Sequence, residues 1–133
     1  MNTWLSANER VFALPATPAA AGIARRELAA MPGVAGELAY KALLMTSELI
    51  AVYVHDVEPG PDVSVRLSIR VTPERVRIEV GGRPPDVSPD ALLHSRETPS
   101  LGGYGLQIVE RMAADWGIEG ERDTMIWFEL ARG

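Results

Sequence analysis

From Val63 to Val80 the chain alternates so regularly that few structures can use it. Val63, Val65, Leu67, Ile69 and Val71 are separated by Ser64, Arg66, Ser68 and Arg70, and Val76, Ile78 and Val80 alternate with Arg75, Arg77 and Glu79. Successive side chains of a strand point to opposite faces, so a period of two predicts two strands with one apolar and one polar face. Thr72-Pro73-Glu74 reads as the turn between them, which makes the pair an antiparallel hairpin, buried on one side and wet on the other. The arginines are accounted for by the wet side. A half-wet sheet needs other elements to cover its apolar face.

The longest apolar stretch supplies the main cover. Leu38, Ala39, Ala42, Leu43, Leu44, Met45, Leu49, Ile50, Val52, Tyr53 and Val54 fall between Ala35 and about His55 and leave hardly any polar side, as in a central, buried helix. Glu48 stands in its middle. A carboxylate there must be paired, hydrogen-bonded or facing a cavity, because an isolated buried charge takes up a proton instead. Two readings stay open: Glu48 is a functional group, or it reaches a helix edge or an arginine such as Arg25. An earlier helix is expected from Thr17-Pro18, with threonine as N-cap and proline at the first helical position. Its stripe is Ala20, Ile23, Ala24 and Leu28, with Arg25, Arg26 and Glu27 toward water, and it stops at Met31-Pro32-Gly33.

Arg10 to Pro15 reads as a short first strand at a sheet edge, where a missing amide donor does least harm. Gly81-Gly82-Arg83-Pro84-Pro85 is expected to end the second hairpin strand, and an irregular stretch follows to Ser100, of a length often found in binding loops. Trp116 to Ile118 and Thr124 to Leu130 form a second strand pair around a turn at Glu119 to Asp123. The order strand, helix, helix, strand pair, loop, helix, strand pair implies an α+β two-layer sandwich: a mixed, mostly antiparallel sheet with its helices on one face, in a single domain spanning 1–133.

Gly102, Gly103 and Gly105 run directly into an apolar-periodic helix that ends near Asp115. Glycines let backbone amides turn toward one point, so such a loop can hold an anion, although the same glycines also make an ordinary connection into a helix. No Gly-Lys-Ser or Gly-Lys-Thr follows, so it is not a P-loop, and no plain βαβ repeat surrounds it. The chain has no cysteine, which excludes disulfides, thiolate metal sites and a cysteine nucleophile. Met1 to Arg10 lacks the features of a signal peptide, and no apolar run reaches membrane-spanning length, so a soluble, cytoplasmic protein is expected. The net charge of −5 comes from mixed signs along the whole chain, with no basic patch for a nucleic-acid backbone. His55 and His94 have no accompanying acid–base spacing.

Thr46-Ser47-Glu48-Leu49-Ile50, Arg77-Ile78-Glu79-Val80 with its glycine turn, Gly102-Gly103-Tyr104-Gly105-Leu106-Gln107-Ile108-Val109, Trp116-Gly117 and Ile126-Trp127-Phe128-Glu129-Leu130 follow one another in an order that resembles the bacterial anti-sigma factor and serine-kinase family. That family belongs to the histidine-kinase-like, or Bergerat-fold, ATPases, and the likeness spans nearly the whole chain. The resemblance implies a nucleotide site with Glu48 as base or water-positioner and Gly102, Gly103, Gly105 and Leu106 around the phosphates. It also exposes departures. The family's magnesium-ligating asparagine falls on Val52, the histidine position on Asp56, and the adenine-reading aspartate on Gly82. Magnesium needs oxygen ligands, which valine lacks. Glycine cannot supply a charge-assisted hydrogen bond of roughly 1.5–3 kcal/mol to a base, and the next carboxylate, Asp86, lies beyond two prolines.

The expectation is therefore a degenerate member: a regulatory protein-binding module of the anti-sigma or partner-switching type, with ATP binding and kinase activity lost or severely weakened and no cofactor. Its implied partners are a sigma factor, an anti-sigma factor antagonist, or both. Many members of that family act as homodimers, so a homodimer is a further expectation. The alternatives are an ATP- and Mg²⁺-dependent serine-protein kinase and anti-sigma factor with an atypical site, and a sensor holding another small molecule in the vacated pocket.

Overall fold

The computed structural model describes residues 2–6, 8–15, 17–56, 64–82, 105–119 and 124–132. Its strands are β1 (Asn2–Ser6), β2 (Glu9–Pro15), β3 (Ser64–Val71), β4 (Arg75–Gly82), β5 (Asp115–Glu119) and β6 (Thr124–Ala131), and its helices α1 (Ala19–Ala29), α2 (Gly36–Asp56) and α3 (Gly105–Met112). The expected hairpin forms from β3 and β4, in a register that pairs Leu67 with Val80 and Ile69 with Ile78. Its turn is closed by Thr72, whose amide donates to the carbonyl of Arg75 at 2.8 Å while the Arg75 amide donates to Thr72 Oγ1 at 3.0 Å.

Among the described residues six strands make one sheet in the order β1-β2-β3-β4-β6-β5, and each of their pairings is antiparallel. The period-two pattern decides which face is covered. Phe12, Leu14, Val65, Leu67, Ile69, Val71, Val76, Ile78, Val80, Ile126, Phe128 and Leu130 are buried together against Ala20, Ala24 and Leu28 of α1, Ala42, Met45, Leu49 and Ile50 of α2, and Val109 of α3. The helices thus occupy one side of the sheet and the fold is an α+β two-layer sandwich. The alanines of α1 let it pack closely on α2. Gly33, just after α1, has φ of +90°, and a Cβ there would stand 2.9 Å from Val71 Cγ1, so both conformation and space call for glycine.

The opposite face is open and polar. Arg77 Nε donates to Glu79 Oε2 at 2.8 Å and its Nη1 to Glu129 Oε2 at 3.2 Å, while Arg75 Nη1 reaches Glu129 Oε1 at 2.7 Å. Arg70 pairs with Glu9. The Arg77 guanidinium stacks over Trp127, 4.2 Å from the ring centroid. Half-exposed pairs like these contribute little each to stability.

Two expectations are corrected. Arg10 to Pro15 does not lie in an edge strand: β1 pairs with β2, Thr3 opposite Val11, and takes the edge position. Thr17 is not a side-chain cap. Pro18 stands at the N-cap with φ −56° and ψ −21°, already helical, and Thr17 contributes only its carbonyl, which accepts from the Ala20 amide at 2.9 Å. The second hairpin strand ends at the glycines as expected, Gly82 being the last residue of β4, although both glycines still belong to the ladder. They pair with Arg66 and Val65 on one side and Met125 and Thr124 on the other, because β4 lies between two partners whose ladders outweigh the low strand preference of glycine.

Candidate functional site

α2 is the helix against which both α1 and α3 pack, and it also lies on β4. Its interior turns are buried continuously from Met45 to Ile50, and three of those residues are polar: Thr46, Ser47 and Glu48. Glu48 keeps 1 % of its surface exposed. Among the described residues, Thr46 Oγ1, Ser47 Oγ and Glu48 Oε1 find no hydrogen-bond partner. Arg25, the partner considered for Glu48, is exposed on α1 and makes no ion pair with it. A buried polar group left unsatisfied costs roughly 1–3 kcal/mol, so three in succession mark this part of α2 as the candidate site.

Burial without a compensating charge pushes the Glu48 carboxyl from its ordinary 4.5 up to about 7. At neutral pH it is divided between acid and anion, the condition in which a carboxyl exchanges protons most usefully. The sequence reading singled out Glu48 and gave its two neighbours no separate role. The signal for them was nevertheless present, since Thr46-Ser47-Glu48 is a polar step in an otherwise apolar run.

Val52 follows one turn further along α2. Gly82 is the last residue of β4, Gly105 the first of α3, and Leu106 the second. Because α2 packs against both β4 and α3, the three elements that carry Glu48, Val52, Gly82, Gly105 and Leu106 are brought together. Gly102 and Gly103 lie outside the described residues, as do Asp86 and His94.

A magnesium nucleotide does not fit these residues in the way the resemblance implies. Gly82, at the adenine-reading position, lies inside the sheet, paired to Val65 and to Thr124, and has no side chain to offer. Val52 brings no oxygen to the helix turn beyond Glu48. Among the described residues no group of three or more His, Cys, Asp or Glu is placed to hold a metal ion, and no helix is long and apolar enough to cross a membrane.

The fold and site together define an α+β sandwich whose central helix carries a buried carboxyl, one oxygen of which has no hydrogen-bond partner among the described residues. Compared with known proteins, the chain matches no family model and no curated protein.

Proposed function

We propose that the chain is a regulatory protein-binding module of the anti-sigma or partner-switching type, acting in the cytoplasm, in which nucleotide binding is lost or severely weakened. The observation that carries this reading is Gly82 within the β4 ladder, where a base-reading carboxylate is required, with Val52 at the metal-ligand position on α2. Phosphoryl transfer depends on positioning and on neutralising phosphate charge, and Glu48 alone supplies neither. Gripping a protein needs a shaped surface instead, so that activity survives loss of the metal. The expected partners are a sigma factor or the antagonist that releases it.

A second reading is favoured by one observation. The Glu48 carboxyl, raised to about 7, has the proton affinity of a general base working near neutral pH, as an ATP-dependent serine kinase with an atypical site would need. Calorimetric titration of the purified chain with ATP and ADP, with and without Mg²⁺, separates the two. The binding-module reading expects no heat and no thermal shift, together with capture of a sigma factor or antagonist without added ATP. Tight, Mg²⁺-dependent binding overturns it, and loss of phosphate transfer but not of binding in Glu48→Ala then establishes the kinase.

A further inference from the structure

A half-open pocket of about 470 Å³ lies at the end of the sandwich where α2 begins. It is bounded by the first turns of α2, by the connection from α3 to β5 and by the last residues of β6. Its apolar lining comes from Leu38, Met112 and Ala113, all half-buried, and from the buried Leu130. Backbone bonds fix the walls. The Ala113 amide donates to the Val109 carbonyl at 2.9 Å, the Ala114 amide to the Glu129 carbonyl at 2.8 Å and the Arg132 amide to the Glu74 carbonyl at 2.9 Å. Lys41, which also lines the pocket, stands two helical turns, about 10 Å, before Glu48 on α2, so the pocket is separate from the candidate site.

The charged side chains in this lining are Glu37, Lys41 and Arg132. Lys41 Nζ is 3.7 Å from Glu37 Oε1, a loose pair open to solvent. Arg132 is held differently. Its Nη1 donates to the Thr72 carbonyl at 2.7 Å, and its guanidinium packs so closely on Gly33 that a Cβ there would stand 3.2 Å from Nη2. Among the described residues no carboxylate comes within ion-pair distance of it. A neutral carbonyl takes one donor of the guanidinium, leaves its other N–H groups free and leaves its charge intact. The lining thus carries one net positive charge, on a side chain already fixed beside an apolar surface.

We infer that this pocket binds a small organic monoanion, a carboxylate carried on an aliphatic or aromatic body. The carboxylate accepts from Arg132, Lys41 adds positive charge, and the apolar body lies along Leu38, Met112 and Leu130. A pocket of this size, with an apolar lining and a few placed polar groups, has the make-up of a small-molecule site. Because Arg132 is already held by Thr72 and Gly33, little side-chain ordering is needed when the anion arrives. Inorganic phosphate suits the pocket less, since it lacks an apolar part and its second charge would face Glu37. Nothing in this inference depends on Glu48, on a nucleotide or on a protein partner.

The test is calorimetric titration of the full chain with octanoate, 1-octanol, acetate and inorganic phosphate, alongside amide NMR spectra. Octanoate is expected to saturate one site and to bind roughly tenfold more tightly than acetate or 1-octanol, because only it offers both the charge and the apolar body. Its amide shifts should centre on Leu38, Lys41, Ala113 and Arg132 rather than on Glu48. Arg132→Gln should weaken octanoate about tenfold and leave 1-octanol unchanged, as a charge-assisted hydrogen bond is lost. Lys41→Gln should weaken octanoate by a smaller factor, and Glu37→Gln, which removes the carboxylate from the lining, should strengthen it. Matched thermal melts verify folding. If Arg132→Gln unfolds for want of its bond to Thr72, the opposite signs expected of Lys41→Gln and Glu37→Gln carry the test, since their pair is open to solvent. Phosphate bound as tightly as octanoate, octanoate binding that fails to saturate or ignores these charges, or shifts centred elsewhere overturns the proposal.

Discussion

Glu48→Gln reads the state of the central helix directly. Glutamine has nearly the shape of the protonated carboxyl and carries no charge at any pH. In the native protein the Glu48 pKa is raised from 4.5 to about 7, so the folded state binds this proton more tightly than the unfolded chain. Stability from that proton is fully present below 4.5 and is lost as pH rises through 7. Each pKa unit corresponds to about 1.4 kcal/mol, so a shift of this size changes stability by about 3 kcal/mol across the window. The variant should match the parent under acid conditions and exceed it by about 3 kcal/mol near pH ~8, or about 10 °C in melting temperature for a domain of this size. Urea unfolding of both proteins along a pH series measures it. The difference between them cancels every other titrating group, including His55 and His94. A difference that does not change with pH, or one that comes to favour the parent as pH rises, would refute the assignment of Glu48 as a buried carboxyl.

Two glycines offer further checks. Gly117→Ala places a methyl group 2.7 Å from Trp127 Nε1, and should lift the ring from β5, disturb its stack with Arg77 and cost about 1–3 kcal/mol, seen as altered tryptophan fluorescence and a lower melting temperature. Gly33→Ala combines a positive φ with a contact of 2.9 Å to Val71 Cγ1 and should cost about 1–3 kcal/mol by urea unfolding without changing the tryptophan signal.

The strands most legible in the sequence are those whose two faces meet different solvents. Val65 to Val71 and Val76 to Val80 could be read residue by residue because burial on one side alone imposes a strict alternation. Asn2 to Ser6 escaped because a strand that short at the chain start shows too little alternation to declare itself, and its omission put β2 at the wrong place in the sheet. Gly81 and Gly82 were legible as the end of β4, whereas their pairing with two neighbouring strands, one contributed from more than forty residues downstream, was not. In the candidate site, Glu48 was legible as a charge where the helix pattern has no place for one. That its Oε1 finds no partner among the described residues was not legible, because that depends on what α1, α3 and β4 bring to it.

The sheet ends, on one side, at β5, only five residues long and bracketed by Asp115 and Glu119. Among the described residues nothing pairs with its outer edge. Unpaired strand edges invite other chains to add to them, and natural proteins guard them by brevity and charge. The two carboxylates thus act as sentries against runaway polymerisation, and a surface redesign that erased both charges would trade a well-behaved protein for one prone to fibre growth. Reversing Glu119 to arginine keeps a charge on guard, which makes it the safer substitution at that edge.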